Sequence, residues 1–512
     1  MRISRLLVVT ALVLALVSLT TWWDGTPEPA SEPEQIVDLP GAGSAEGLSS
    51  TWYCAAFAAG VEDTMHDLIV TNSGAATRAR VTAYDAEGTK GVQTVDLAAG
   101  TTTKVEALSL FGSSDLSIMV ESPAGDLVVE HRLLTKLGVD QVPCATSASD
   151  EWHFPALSTA LGSAARLVLF NPFSSDAGVD ITVARDDGVS LPAALTGIVV
   201  PAGSTKVVDL SESVVRRDLF ALSLELRTGR VIAETVQVYD PAPVEALPAE
   251  LRESATPARG VRMMLGVPRP ASNWAFADGF TGPGVRERVV VYNPGDEKVT
   301  VMIQVVPFSG AELAPEPFEL EVAARRYGSV DLSAEGRIPA EGLHAIRVQA
   351  EPSDRVVVGR SVLIDGGPGD ATTPGVVQRP NLRWGATISG GSPIAATGWL
   401  ASGMVVGEGQ QPMLQIHNPN PGIVSFTATI RGGPDDGLVL ADGVEVAAGD
   451  SLALPVAAEG LADGEVTVVV SAGSPVVVER LITFVSRQDL AMGLAMPFAG
   501  EGERTVSLAD QG

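Results

Sequence analysis

Three glutamates occupy the same place in a repeated phrase. Glu130 ends L-V-V-E, Glu234 ends V-I-A-E and Glu479 ends V-V-V-E, while a fourth copy reads V-V-V-G and ends on Gly359. A carboxylate that works as a general acid or base, or as half of a glycosidase pair, is needed once and opposite a partner. Recurrence in separate segments fits a solvent-facing or edge-protecting strand charge better, and that is the expectation here. The five histidines, His66, His131, His153, His344 and His417, are scattered, and no H-E-x-x-H or comparable string contains them. His66 and His131 could meet across strands, the weakest form of a metal site. No G-x-S-x-G elbow and no phosphate-binding loop occurs. No catalytic residue, cofactor site or metal site is therefore expected.

The two cysteines, Cys54 and Cys144, bracket one segment of the chain. Two thiols alone do not make a zinc site. Outside the cytoplasm such a pair reads most simply as a disulfide. A loop of this length would contribute about 4–5 kcal/mol in the chain-entropy model.

These residues sit inside a larger repeat. Trp52, Trp152, Trp274 and Trp399 are each followed 19 or 20 residues later by Asn72, Asn171, Asn293 and Asn418. Three of the asparagines precede a proline, Pro172, Pro294 and Pro419, and the first precedes Ser73. Asn bonds the backbone ahead of it and Pro fixes φ, so the pair reads as turn chemistry at a strand end. The tryptophan reads as a large side chain sealing each unit. A sugar-stacking platform built on it and on His153, Phe154 or Phe276 is the competing account.

Within a unit the hydrophobic period is two. H-D-L-I-V-T-N, A-R-L-V-L-F-N, E-R-V-V-V-Y-N and P-M-L-Q-I-H-N are one strand written four times. Turn signals follow at short intervals, and helical periodicity nearly vanishes after residue 23, with brief candidates at L-S-L-F-G and S-E-S-V-V-R-R. The fold class expected is all-β, a series of immunoglobulin-like β-sandwiches, each large enough to fold alone. The units are placed at 51–147, 148–250, 262–366 and 380–490, with a tail at 491–512 that adds a strand to the last. V-D-L-A-A-G, V-V-P-A-G and V-E-V-A-A-G share a glycine turn, and in the third unit Arg325 stands in its place.

Composition places the chain. It carries 62 acidic against 34 basic residues, a formal charge of −28, and has no basic patch, which argues against a nucleic-acid partner. Arg2 and Arg5 precede an apolar run, so residues 1–5 read as cytoplasmic and 6–23 as a transmembrane signal-anchor, with a cleaved signal peptide as the rival. Residues 24–50, rich in Pro, Glu, Gly and Ser, read as a disordered stalk. Either reading of the N-terminus puts the bulk outside the cytoplasm.

The string W-Y-C, the run L-F-N-P-F, the turn V-P-A-G-S and the V-V-V-E-type ends resemble the actinobacterial secreted or membrane-anchored family that carries domain of unknown function 5719. The resemblance implies an envelope protein without an assigned activity, and an association with envelope glycan assembly. Function is thus expected to be a non-enzymatic extracytoplasmic scaffold holding a partner protein or an envelope glycan. The alternatives are a carbohydrate-binding β-sandwich array and, more remotely, a hydrolase needing a cleft with two converging carboxylates.

Overall fold

The first unit sets the pattern. Its strands are β1 (Ser50–Cys54), β2 (Met65–Asn72), β3 (Thr77–Asp85), β4 (Gly88–Leu97), β5 (Thr101–Glu106), β6 (Ser117–Ser122), β7 (Leu127–Leu134) and β8 (Val139–Pro143). The chain is seen in a computed structural model that describes residues 49–56, 60–248, 258–308, 314–365, 384–407, 410, 412–484, 489–498 and 504–511. The 6–23 anchor, most of the 24–50 stalk and the linker around 366–383 lie outside the described residues. Among those described, no helix is long and apolar enough to cross a membrane.

All pairing in the unit is antiparallel, in two sheets ordered β1-β6-β3-β4 and β5-β2-β7-β8. The alternating sequence dictates this: one face of each strand is apolar and must be covered by the other sheet. The short helix Ala107–Phe111 falls on the expected L-S-L-F-G and ends at Gly112 in the left-handed region.

The same two sheets recur three times. In the second unit Ser204–Asp209, Ser163–Asn171, Ile232–Tyr239 and Gly260–Leu265 repeat the order β5-β2-β7-β8; in the third Tyr327–Asp331, Val285–Tyr292, Val357–Asp365 and Trp384–Gly390 do so. In the fourth, one strand, Gly464–Phe484, serves as counterpart of both β6 and β7. The tail strands Met496–Pro497 and Thr505–Ser507 pair with the tryptophan strand of that unit. First pairs with sixth in every unit, whereas an immunoglobulin sandwich groups its strands as ABED and CFG. The chain is all-β, but its strand order is a different one.

Strand pairing also moves the unit borders. Gly260–Leu265 begins before the third unit in the sequence reading and runs into it, yet pairs with Ile232–Tyr239 of the second; Trp384–Gly390, read as the start of the fourth, pairs with Val357–Asp365 of the third. Each unit thus ends with an eighth strand, which in units two and three follows the close read from the sequence. These four eighth strands pack around one axis. Where they begin, Gly138, Gly260, Gly385 and Asp489 crowd together: a β-carbon on Gly138 would lie 2.9 Å from the Gly260 Cα, and one on Gly260 would lie 3.4 Å from the Ala386 nitrogen. The arrangement closes on itself, unit one against unit two, two against three, three against four and four against one. One apolar cluster joins the cores of units two and three and reaches Ala55, Tyr84, Leu133 and Ala145 of unit one, while the core around Trp52 in unit one forms a separate cluster with Leu400, Val469 and Met496 of unit four. The units share their cores and are not independent beads.

Candidate functional site: the axis and its buried charges

The repeated glutamates are not at the surface. Glu130, Glu234 and Glu479 are all fully buried, which corrects the expectation of a solvent-facing or edge charge. They face the neighbouring unit. The residue after each glutamate, or after Gly359, points to the glutamate of the next unit round the ring. His131 of unit one meets Glu234 of unit two, Nε2 to Oε2 at 3.0 Å. Arg360 of unit three donates to Glu479 of unit four at 3.2 Å. Arg480 of unit four pairs with Glu130 of unit one at 2.5 Å, an ion contact between the last unit and the first. At the remaining interface the positions hold Thr235 and Gly359. Donor and acceptor are missing together, so neither is left as an unpaired buried charge.

Further contacts close the seam between units four and one. Arg132 pairs with Glu465 at 2.6 Å and donates to the Gly403 carbonyl at 2.9 Å. Burial pushes the Glu479 carboxyl up to about 7, against the lowering pull of Arg360. It pushes Glu234 well up and His131 down to about 3, which favours a neutral pair. His66 and His131 do meet across strands, at 3.2 Å between ring nitrogens. Among the described residues no three His, Cys, Asp or Glu side chains converge as metal ligands.

One end of the axis is shut by Arg262 of unit two. It pairs with Asp489 of unit four at 2.6 Å and donates to the Val139 carbonyl of unit one at 2.7 Å. Asp489 in turn accepts from the Val139 N–H at 2.9 Å, and Asp140 accepts from the Met263 N–H at 2.8 Å. Toward the other end the eighth strands enclose a cavity of about 90 Å³. Met263, Met264, Ile388, Met492, Met496 and Trp399 are among its walls. Separately, an open groove of about 690 Å³ lies between units one and two, beside Lys136, Arg166 and Arg216. Lys136 pairs with Glu62 at 3.5 Å and Arg166 with Asp209 at 3.6 Å.

The repeat-defining residues fasten the units. Trp52, Trp152, Trp274 and Trp399 are at most 2 % exposed, and His153, Phe154 and Phe276 are buried with them, so no sugar can stack on this set. In units two and three the indole N–H donates to the carbonyl just before the seventh strand, Val231 and Val356, and in unit four to that of Val476 within Gly464–Phe484, at 2.9–3.1 Å. Asn72, Asn171, Asn293 and Asn418 are also fully buried. Each accepts, on Oδ1, the N–H two residues on, that of Gly74, Phe173, Gly295 or Asn420. Each also donates across the sandwich, to the carbonyls of Ala98, Val200, Val322 and Val446. The turn chemistry expected of Asn is present, and Asn is a staple between the two sheets as well. Pro172, Pro294 and Pro419 follow it, where no N–H is needed.

Cys54 and Cys144 form the disulfide, with their Cα atoms 4.5 Å apart, tying the first strand to the end of the eighth. Sequence reasoning missed the charge ring, Arg262, Asp489 and the cavity. The available signal was the residue after each repeated glutamate, which alternates with it as donor and acceptor.

Comparison with known proteins adds a family. Residues 135–268 match the model of a family of unknown function, DUF5719. That segment runs from one axial strand through the whole of unit two to the next. No curated protein matches the chain. Among solved structures, the Anabaena sensory rhodopsin transducer is similar at 31 % identity, covering 17 % of this chain and 93 % of its own, with a TM-score of 0.16. A Thermotoga maritima protein, 1070, is similar at 19 % identity, covering 24 % of this chain and 94 % of its own, with a TM-score of 0.19.

Proposed function

We propose that this chain, which residues 135–268 place in the family of unknown function DUF5719, is a non-enzymatic extracytoplasmic scaffold that presents one rigid surface to a partner protein. The observation that carries the reading is the closed ring. Its last unit is locked to its first by Arg480 and Glu130, and its conspicuous polar residues are spent on holding units together. A body built in this way holds its surface features at fixed separations, which favours recognition of a structured partner. The disulfide favours an oxidising compartment. The acidic surface and the apolar segment at 6–23 suit a protein held at a cell envelope facing away from the cytoplasm. The raised Glu479 and Glu234 carboxyls do not count as catalytic candidates, because each lies in a closed seam with its neighbour's donor against it.

The test is cross-linking in native membranes followed by purification of the full chain. Reproducible enrichment of one protein that survives polysaccharide digestion supports the reading. Enrichment of an envelope glycan alone would transfer the role to glycan binding by surfaces other than the buried tryptophans. Recovery of neither would overturn the scaffold reading.

A further inference from the structure

We propose that the axial cavity is a binding site for the unsubstituted end of an alkyl chain. The site is built by all four units, each giving residues of its eighth strand or the turn beyond it. Its volume of about 90 Å³ is that of a genuine cavity rather than a packing flaw. Met263, Met264, Met492 and Met496, all at most 4 % exposed, supply walls of flexible, polarisable side chains that adapt to a linear apolar guest.

The side chains at the wall favour an apolar guest. The Gln141 amide is fully used: its nitrogen donates to Glu130 and to the Ser402 carbonyl, both at 3.1 Å, and its oxygen accepts from Arg132 at 2.9 Å. The Ser389 hydroxyl accepts from Arg360 at 3.5 Å. A sugar, phosphate or carboxylate needs several convergent donors to replace its water, and the lining side chains offer at most the Ser389 hydroxyl proton. An alkyl end loses nothing polar. The Arg262–Asp489 pair shuts the far end of the axis, so a chain can enter from one side only and its polar head stays outside.

The structure also provides a way to fill the site. A β-carbon on Gly493, which lines the cavity, would meet no atom within 4 Å. Gly493→Leu therefore starts its side chain where no atom blocks the β-carbon. The experiment uses the full-length chain labelled with ¹³C at the methionine methyls and titrated with hexan-1-ol. Saturable shifts of the Met263, Met264, Met492 and Met496 signals are expected, with half-exposed Met302 unmoved, and their loss in Gly493→Leu. A folded Gly493→Leu chain that still shows the shifts would overturn the site. Should Gly493→Leu not fold, Gly493→Ala is the second variant and should weaken the titration severalfold. Absence of saturable shifts in the parent chain, or equal shifts on titration with glucose, would overturn the assignment to an alkyl end.

Discussion

Gly359 lies against Pro155: a β-carbon on Gly359 would stand 2.5 Å from the Pro155 Cγ. The glycine is on the seventh strand of unit three, where the other units carry a buried glutamate, and the proline is on the tryptophan strand of unit two. One interface of the ring thus replaces an ion pair by close apolar packing. Gly359→Glu should destabilise by at least ~3 kcal/mol, because it buries an unpaired charge in a filled space. Adding Thr235→Arg and Pro155→Ala should restore most of the loss. Urea unfolding midpoints read both effects, and a Gly359→Glu chain as stable as the parent would refute the assignment.

Arg480 and Glu130 hold the ring shut. Arg480→Ala leaves the buried Glu130 without its ion partner and should cost about 3–5 kcal/mol. The double change Arg480→Met with Glu130→Leu should cost far less, since both charges go together. A double-mutant cycle by thermal melting checks this, and additive effects would show that the two residues do not interact.

Ser73 explains another departure from the repeat. Its N–H and hydroxyl both donate to the Asp126 carbonyl, at 2.9 and 3.0 Å, the counterpart of the carbonyl that accepts the indole N–H elsewhere. The Trp52 indole N–H has no partner among the described residues. Ser73→Pro, which copies the other units, should destabilise by about 1–3 kcal/mol by removing both donors, and Ser73→Ala by less. Denaturation of the two variants side by side supplies the ranking, and an equal or reversed order would count against this role.

Arg325 has φ of 55° at the turn where Gly100, Gly203 and Gly449 have φ of 62°, 63° and 70°. A side chain there carries a conformational penalty that glycine lacks. The Arg325–Asp296 ion pair at 2.7 Å is exposed and offsets little. Arg325→Gly should therefore stabilise by about 0.5–1 kcal/mol. A lowered unfolding midpoint would contradict this.

His417 should shape the acid side of the stability curve. Burial, with Arg347 nearby, lowers its pKa from 6.5 to about 3. The unfolded chain then binds a proton that the folded chain refuses, so stability falls as pH drops from about 6.5 toward 3. His417→Asn removes this contribution and should flatten the decline between pH 7 and pH 4. Unfolding free energies measured at both pH values give the slope, and an unchanged slope would exclude His417 as a source.

Local and periodic features were legible along the chain. Alternation of apolar residues set the strands, the four repeated asparagines, three of them followed by proline, marked where four of the strands end, and the Cys54–Cys144 spacing within one unit allowed the disulfide. These depend on neighbours along the chain. The role of Glu130, Glu234 and Glu479 does not. A carboxylate on a strand has the same sequence signature whether water or another unit faces it, and only the packing of Arg480, Arg360 and His131 against those glutamates decided between the two. The same holds for the axis. Gly260–Leu265 and Trp384–Gly390 read as the openings of new units, because a strand's sequence does not name its hydrogen-bonding partner. Pairing across long separations put them at the centre, where four eighth strands enclose a cavity that no single unit contains.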